Sequence, residues 1–198
     1  SGLTVNGTLN LGATGAPVTL KSGDPATSPA PWGNVYYQAG SSGTIANSNF
    51  INAPPAVGLQ CATSGALTLS GNTFSGGIGM RTLPGCTASV DHNVFNGGIS
   101  VQGGSPDLGG GSQNSAGYNT VLGPSIALQN ISANPIFAKN NWWGCATTAE
   151  MDAAQANIPP HFDYYDNPSY AVVNLSGWRG AQTRATTRAK SPRGRPPA

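Results

Sequence analysis

Charge is what this sequence has least of. Only 8% of its 198 residues are Asp, Glu, Lys or Arg, against roughly 25% in an ordinary globular domain. The few charges are also unevenly placed. Arg179, Arg184, Arg188, Lys190, Arg193 and Arg195 all follow Trp178, leaving Lys21, Arg81 and Lys139 against seven acids in residues 1–177, a net charge of −4. That body has no basic face to offer a nucleic acid, so no nucleic-acid partner is expected. No apolar run approaches the roughly 18 residues of a membrane span, so none is expected to cross one. No signal peptide is visible, since Ser1-Gly2-Leu3 opens directly in a strand-like pattern. Three cysteines without a CxxC pair argue against a zinc site. Helical periodicity is absent except over 147–156 (TTAEMDAAQA).

What fills the chain instead is Gly (28), Pro (16), Ser, Thr and Asn around a 38% apolar share that recurs periodically. Val57-Gly58-Leu59, Ile78-Gly79-Met80 and Ile99-Ser100-Val101 each begin 21 residues after the last, and Leu69 and Val90 are also 21 apart. Val35-Tyr36-Tyr37 fits one turn earlier and Ile126-Ala127-Leu128 fits later. A second series keeps the same phase: Asn72-Thr73-Phe74, Asn93-Val94-Phe95, the looser Asn47-Ser48-Asn49-Phe50, and Asn140-Asn141-Trp142. A unit of about 21 residues is too short for a helix-turn-helix repeat and suits a coil of three short strands and three turns. A β-sandwich also has short strands, but it does not repeat one motif at one phase.

The pattern predicts an all-β chain: a right-handed parallel β-helix of about six to seven coils over residues 1–177, with one short helix near its C-terminal end. A basic Pro/Arg-rich tail, 178–198, follows. Stacking of equivalent positions makes Phe50, Phe74, Phe95 and Trp142 an internal aromatic ladder. Asn72, Asn93 and Asn140 then form a ladder at a tight turn, where Asn tolerates left-handed backbone. Residues 21–34 and 103–120 read as protruding loops, and Tyr170 to Leu175 as a last strand.

The strings Asp107-Leu108-Gly109-Gly110-Gly111, Ser115-Ala116-Gly117-Tyr118-Asn119, Asn140-Asn141-Trp142-Trp143-Gly144 and Asp163-Tyr164-Tyr165-Asp166 resemble bacterial right-handed parallel β-helix repeat proteins of the pectin-lyase-like superfamily. The resemblance covers roughly residues 30–177. It implies the fold and a secreted or cell-surface setting, and no single activity, because this fold carries lyases, hydrolases, adhesins and fibres alike.

Lyase chemistry of this kind needs clustered carboxylates for calcium and a base that removes a proton α to a carboxylate. The acids Asp24, Asp91, Asp107, Glu150, Asp152, Asp163 and Asp166 are scattered, and Arg81 is alone among the clear repeats. Asp163 and Asp166 read as turn caps, His92 as an exposed turn residue beside Asp91, and His161 as a loop residue after Pro159-Pro160. No catalytic residue, metal or cofactor is therefore expected. Cys61 and Cys86 are disulfide candidates if the segment between them folds back; Cys145 is then unpaired. Among the aromatics Trp32, Tyr36, Tyr37, Tyr164, Tyr165 and Trp178, exposed members could stack on sugar rings. An ice-binding surface needs a regular Thr array, and Thr68, Thr73 and Thr87 look isolated. The functional expectation is a non-catalytic, extracellular structural or adhesive solenoid that self-associates head-to-tail through an uncapped end. The alternative is a polysaccharide lyase, hydrolase or glycan-binding protein.

Overall fold

A computed structural model describes residues 2–12, 15–21, 33–51, 57–123, 125–153 and 157–177, with the side chains of 145, 146 and 148 excepted. Asp24, Trp32, Trp178, the tail and most of the 21–34 segment lie outside the described residues.

The chain winds through three parallel sheets, one strand per sheet in each of the first five coils. The first coil is β1 (Leu3–Val5), β2 (Thr8–Leu11) and β3 (Val18–Lys21); the second is β4 (Val35–Tyr37), β5 (Ser42–Ala46) and β6 (Ser48–Ile51). The third is β7 (Val57–Cys61), β8 (Leu67–Ser70) and β9 (Thr73–Ser75); the fourth is β10 (Ile78–Thr82), β11 (Ser89–Asp91) and β12 (Val94–Phe95). The fifth is β13 (Ile99–Val101), β14 (Asp107–Gly109) and β15 (Thr120–Val121). β16 (Leu128–Asn130) and β17 (Ile136–Ala138) follow, then helix α1 (Cys145–Asp152), β18 (His161–Phe162) and β19 (Val173–Asn174). The first and second sheets have seven strands and the third has five, extended by a bridge between Thr120 and Trp142. This is the expected parallel β-helix with one short helix near its C-terminal end.

Strand alternation explains the core. In the first sheet Leu3, Val35, Leu59, Met80, Ile99, Leu128 and His161 stand in one register column, and from Val35 onward every member is buried. In the third sheet Leu20, Phe50, Phe74, Phe95 and Val121 do the same. The Phe50 and Phe74 rings stack with centroids 4.5 Å apart, and Phe74 and Phe95 with centroids 4.7 Å apart. That spacing is the interstrand repeat itself.

Three expectations shift. Ile99 pairs with Met80 rather than Ile78, and Val35 with Leu59 rather than Val57. A two-residue slip keeps every side chain on its face, so spacing alone does not fix it. The segment 103–120 is not only a loop, since β14 lies within it. The last strand is Val173–Asn174, shorter than expected, and His161, expected in a loop, lies in β18.

Cys61 and Cys86 form a disulfide with Cα atoms 5.5 Å apart. The chain folds back as that bond requires: the Cys86 N–H donates to the Leu83 carbonyl at 3.1 Å, closing a turn through Pro84-Gly85.

Candidate functional site

The buried polar chemistry is concentrated at the corner between the second and third sheets. From the second coil to the sixth, each passage through it uses one residue with positive φ followed by one inward polar residue: Asn47 then Ser48, Gly71 then Asn72, His92 then Asn93, Tyr118 then Asn119, Asn140 then Asn141. The left-handed residue turns the chain so that the next side chain points inward beneath the corner. Asn72 Nδ2 donates to Asn93 Oδ1 at 2.9 Å, Asn93 Nδ2 to Asn119 Oδ1 at 3.0 Å, and Asn119 Nδ2 to Asn141 Oδ1 at 2.9 Å. Each acceptor oxygen also takes a backbone N–H from the preceding rung, as Asn93 N donates to Asn119 Oδ1 at 3.0 Å. Every amide of this ladder is at most 1% exposed.

Asn72 and Asn93 therefore stand where the repeat places them, whereas Asn140 and Trp142 are one residue out. Asn140 has φ 61° and an amide that reaches the Ala116 carbonyl at the surface. Asn141 is the ladder member, and Trp143, 3% exposed, takes the position after Val121 that follows the phenylalanines. Asn119 and Val121 are members that sequence reasoning missed; the signal was Asn119-Thr120-Val121, with a smaller apolar residue in the Phe place.

The outside of the same corner carries two exposed rings. His92 (φ 53°) and Tyr118 (φ 58°) occupy left-handed backbone that costs a non-glycine residue about 1–2 kcal/mol. Their rings stack with centroids 5.2 Å apart. The His92 side chain is 58% exposed, with its Nδ1 3.5 Å from Asp91 Oδ1. Neighbours in the column are Asn and Gly, which tolerate the conformation; His and Tyr add exposed aromatic surface there instead.

The acids do not converge. Among the described residues no three of His, Cys, Asp and Glu lie close enough to hold a metal ion. Asp107 is 2% exposed and fully engaged. Its Oδ1 accepts the N–H groups of Gly109 and Gly111, both at 2.9 Å, and its Oδ2 accepts those of Gln113 and Ser115 at 3.0 and 3.2 Å. The carboxylate thereby gathers the loop after β14 over itself. A shallow pocket borders this loop, with Phe137, Pro106 and Pro135 in its wall. Asp163 Oδ1 accepts from Tyr165 N at 3.0 Å and its Oδ2 from Val173 N at 2.7 Å, while Asp166 Oδ2 accepts from Asp163 N at 3.0 Å. Both work as turn caps. Arg81 faces outward from the first sheet in register with Gln60 and Ser100.

The two ends of the solenoid differ. On the N-terminal rung Leu3 is 42% exposed, and Leu9, Leu11 and Leu20 are only partly buried against the core. At the C-terminal end Trp143, Met151, Ile158 and Val173 all belong to the core, and β18 and β19 are the terminal strands of the first and second sheets. His161 sits here, 4% exposed, as the polar end of the otherwise aliphatic column of the first sheet. It packs edge-on against the Trp143 ring with centroids 4.5 Å apart. Neither of its ring nitrogens has a hydrogen-bond partner, nor does Trp143 Nε1. Burial pushes its pKa down from 6.5 to about 4, and the nearby Asp166 charge offsets only part of that. Tyr164 and Tyr165 are exposed on the following turn, and Tyr37 is fully buried with its hydroxyl donating to the Leu9 carbonyl at 2.9 Å.

No protein-family model, curated protein or solved structure was found to match this chain.

Proposed function

We propose that the chain is a non-catalytic structural solenoid of the extracellular space or cell surface, of the pectin-lyase-like type, which associates through its N-terminal rung. The observation that carries this reading is the difference between the ends. Among the described residues β1, β2 and β3 each pair on one side only and carry the partly exposed Leu3, Leu9, Leu11 and Leu20, whereas His161 and Val173 on the terminal strands β18 and β19 are buried. Unpaired edges beside apolar side chains template pairing with another strand. The Cys61–Cys86 disulfide supports the extracellular assignment.

The corner amides and the Asp107 and Asp163 carboxylates are occupied by structural hydrogen bonds, which favours a scaffold over an enzyme. Negative-stain electron microscopy of the purified protein tests the association. Paired particles support the reading, and monodisperse single solenoids at high concentration overturn it.

A second reading, glycan binding, is favoured by the exposed His92–Tyr118 pair, where stacking area is kept at a backbone cost. Binding to a panel of neutral and acidic polysaccharides, with and without calcium, tests it. Loss of binding in Tyr118→Gly, a change suited to the positive φ, supports the reading; equal binding by that variant overturns it. Breakdown of any of these polymers would overturn the non-catalytic assignment.

A further inference from the structure

We propose that the C-terminal cap, the rung of β18 and β19 with α1, is an acid-opened latch keyed to His161, which detaches from the coils before it when that side chain takes a proton. Its ground is the position of the side chain. Six predecessors in the column, from Leu3 to Leu128, are aliphatic, and the seventh is a histidine. The ring is shut in beneath the cap, packed edge-on against Trp143, with both nitrogens unpartnered. A buried polar group without partners is rare, and it calls for a physical explanation. A neutral imidazole is tolerated here; an imidazolium is not, because neither N–H then has an acceptor.

The acidic groups around it do not reach in to replace those acceptors. Asp163, two residues on, spends its carboxylate on Tyr165 N and Val173 N. Asp166 bonds Asp163 N and Asn157 Nδ2, at 3.0 and 3.4 Å, and acts on His161 only through its charge. Glu150 and Asp152 are the acids of α1; β16 brings only Leu128, Gln129 and Asn130, and residues 140–177 contain no Lys or Arg. Protonation therefore puts a cation into an apolar site that has no partner for it.

The sign follows from linkage. The open cap exposes His161, which then takes a proton near its ordinary 6.5, while the closed cap holds it neutral down to about 4. The closed form is thus favoured in full above about pH 6.5, and its advantage is lost as pH falls through about 4. Across that window the closed-to-open ratio drops by roughly two to three orders of magnitude. Opening lifts β18 and β19 from β16 and β17.

The test is hydrogen exchange with mass spectrometry on the full chain, as protection factors from neutral pH to about pH 4. His161→Phe keeps an aromatic ring under the cap and removes the titration, and His92→Phe is the exposed control. In the wild type and His92→Phe, residues 157–177 lose protection on acidification while the coils from Val35 to Val121 keep theirs. His161→Phe keeps its cap protected. Uniform loss of protection, or equal loss in His161→Phe, overturns the latch. A direct ¹³C ring titration of wild-type His161 decides the matter should His161→Phe fold poorly: titration near 6.5 in the folded protein overturns the latch, and a much lower midpoint supports it.

Discussion

Truncating Asn93 to alanine tests the polar ladder where it is most connected. Asn93 is 1% exposed, and its Oδ1 accepts both the Asn72 N–H at 3.0 Å and Asn72 Nδ2 at 2.9 Å. Its Nδ2 donates to the Leu69 and Asp91 carbonyls and to Asn119 Oδ1. Asn93→Ala strips the acceptor from two buried N–H bonds of Asn72, whose Nδ2 keeps only the Ile45 carbonyl, and removes a donor from three oxygens. An orphaned buried group costs about 1–3 kcal/mol, so the two donors alone give about 2–6 kcal/mol. Set against a typical domain stability of about 5–15 kcal/mol, that is a large fraction. Each coil contacts only its neighbours, so the damage should centre on the coils containing Asn72, Asn93 and Asn119. Guanidinium unfolding followed by tryptophan fluorescence measures the loss, and hydrogen exchange locates it. Thr68→Ala, on the outer face of the neighbouring strand, serves as control and should change stability by less than about 0.5 kcal/mol. A loss below about 1 kcal/mol for Asn93→Ala, or one no larger than the control's, would refute the reasoning.

Other expectations follow from single contacts. Asp107→Asn turns an NH2 group toward N–H donors that now meet a carboxylate oxygen, so it should cost about 1–3 kcal/mol and deprotect residues 109–117 in hydrogen exchange while the Phe stack stays protected. Burial pushes the Tyr37 hydroxyl up to about 12. The unfolded chain loses that proton from about pH 10 upward, so stability should fall as pH rises from 10 through about 12, and Tyr37→Phe should flatten that slope. The Cys61–Cys86 bond closes a separation of 25 residues; replacing both by alanine should lower stability by about 3 kcal/mol in denaturant titrations.

Much of this architecture was legible in the sequence because a stacked coil writes its period directly. Phe50, Phe74 and Phe95 share a phase and share a stack. Where reading failed, the cause was degeneracy. Asn140-Asn141-Trp142-Trp143 contains an Asn-x-Trp in two adjacent frames, and only the need for a left-handed residue ahead of the ladder selects Asn141 and Trp143. Asn119 was hidden by Val121 in the aromatic place and by an insertion folded around Asp107. His161 was hidden differently: two prolines before it imply a loop, yet β18 pairs with β16 beyond them, so a residue read as loop lies in the core. The burial of Met151 and Ile158 at the C-terminal end depends on tertiary packing, which no local pattern encodes.

The central claim, that association runs through the N-terminal rung, is tested most directly by sedimentation velocity at neutral pH on the wild type and on Leu3→Lys. Leu3 is 42% exposed on the first strand, so a lysine there leaves the core intact and places charge on the edge. The account predicts a concentration-dependent dimer for the wild type and a monomer for Leu3→Lys. A wild type that stays monomeric, or a dimer indifferent to the substitution, would contradict it.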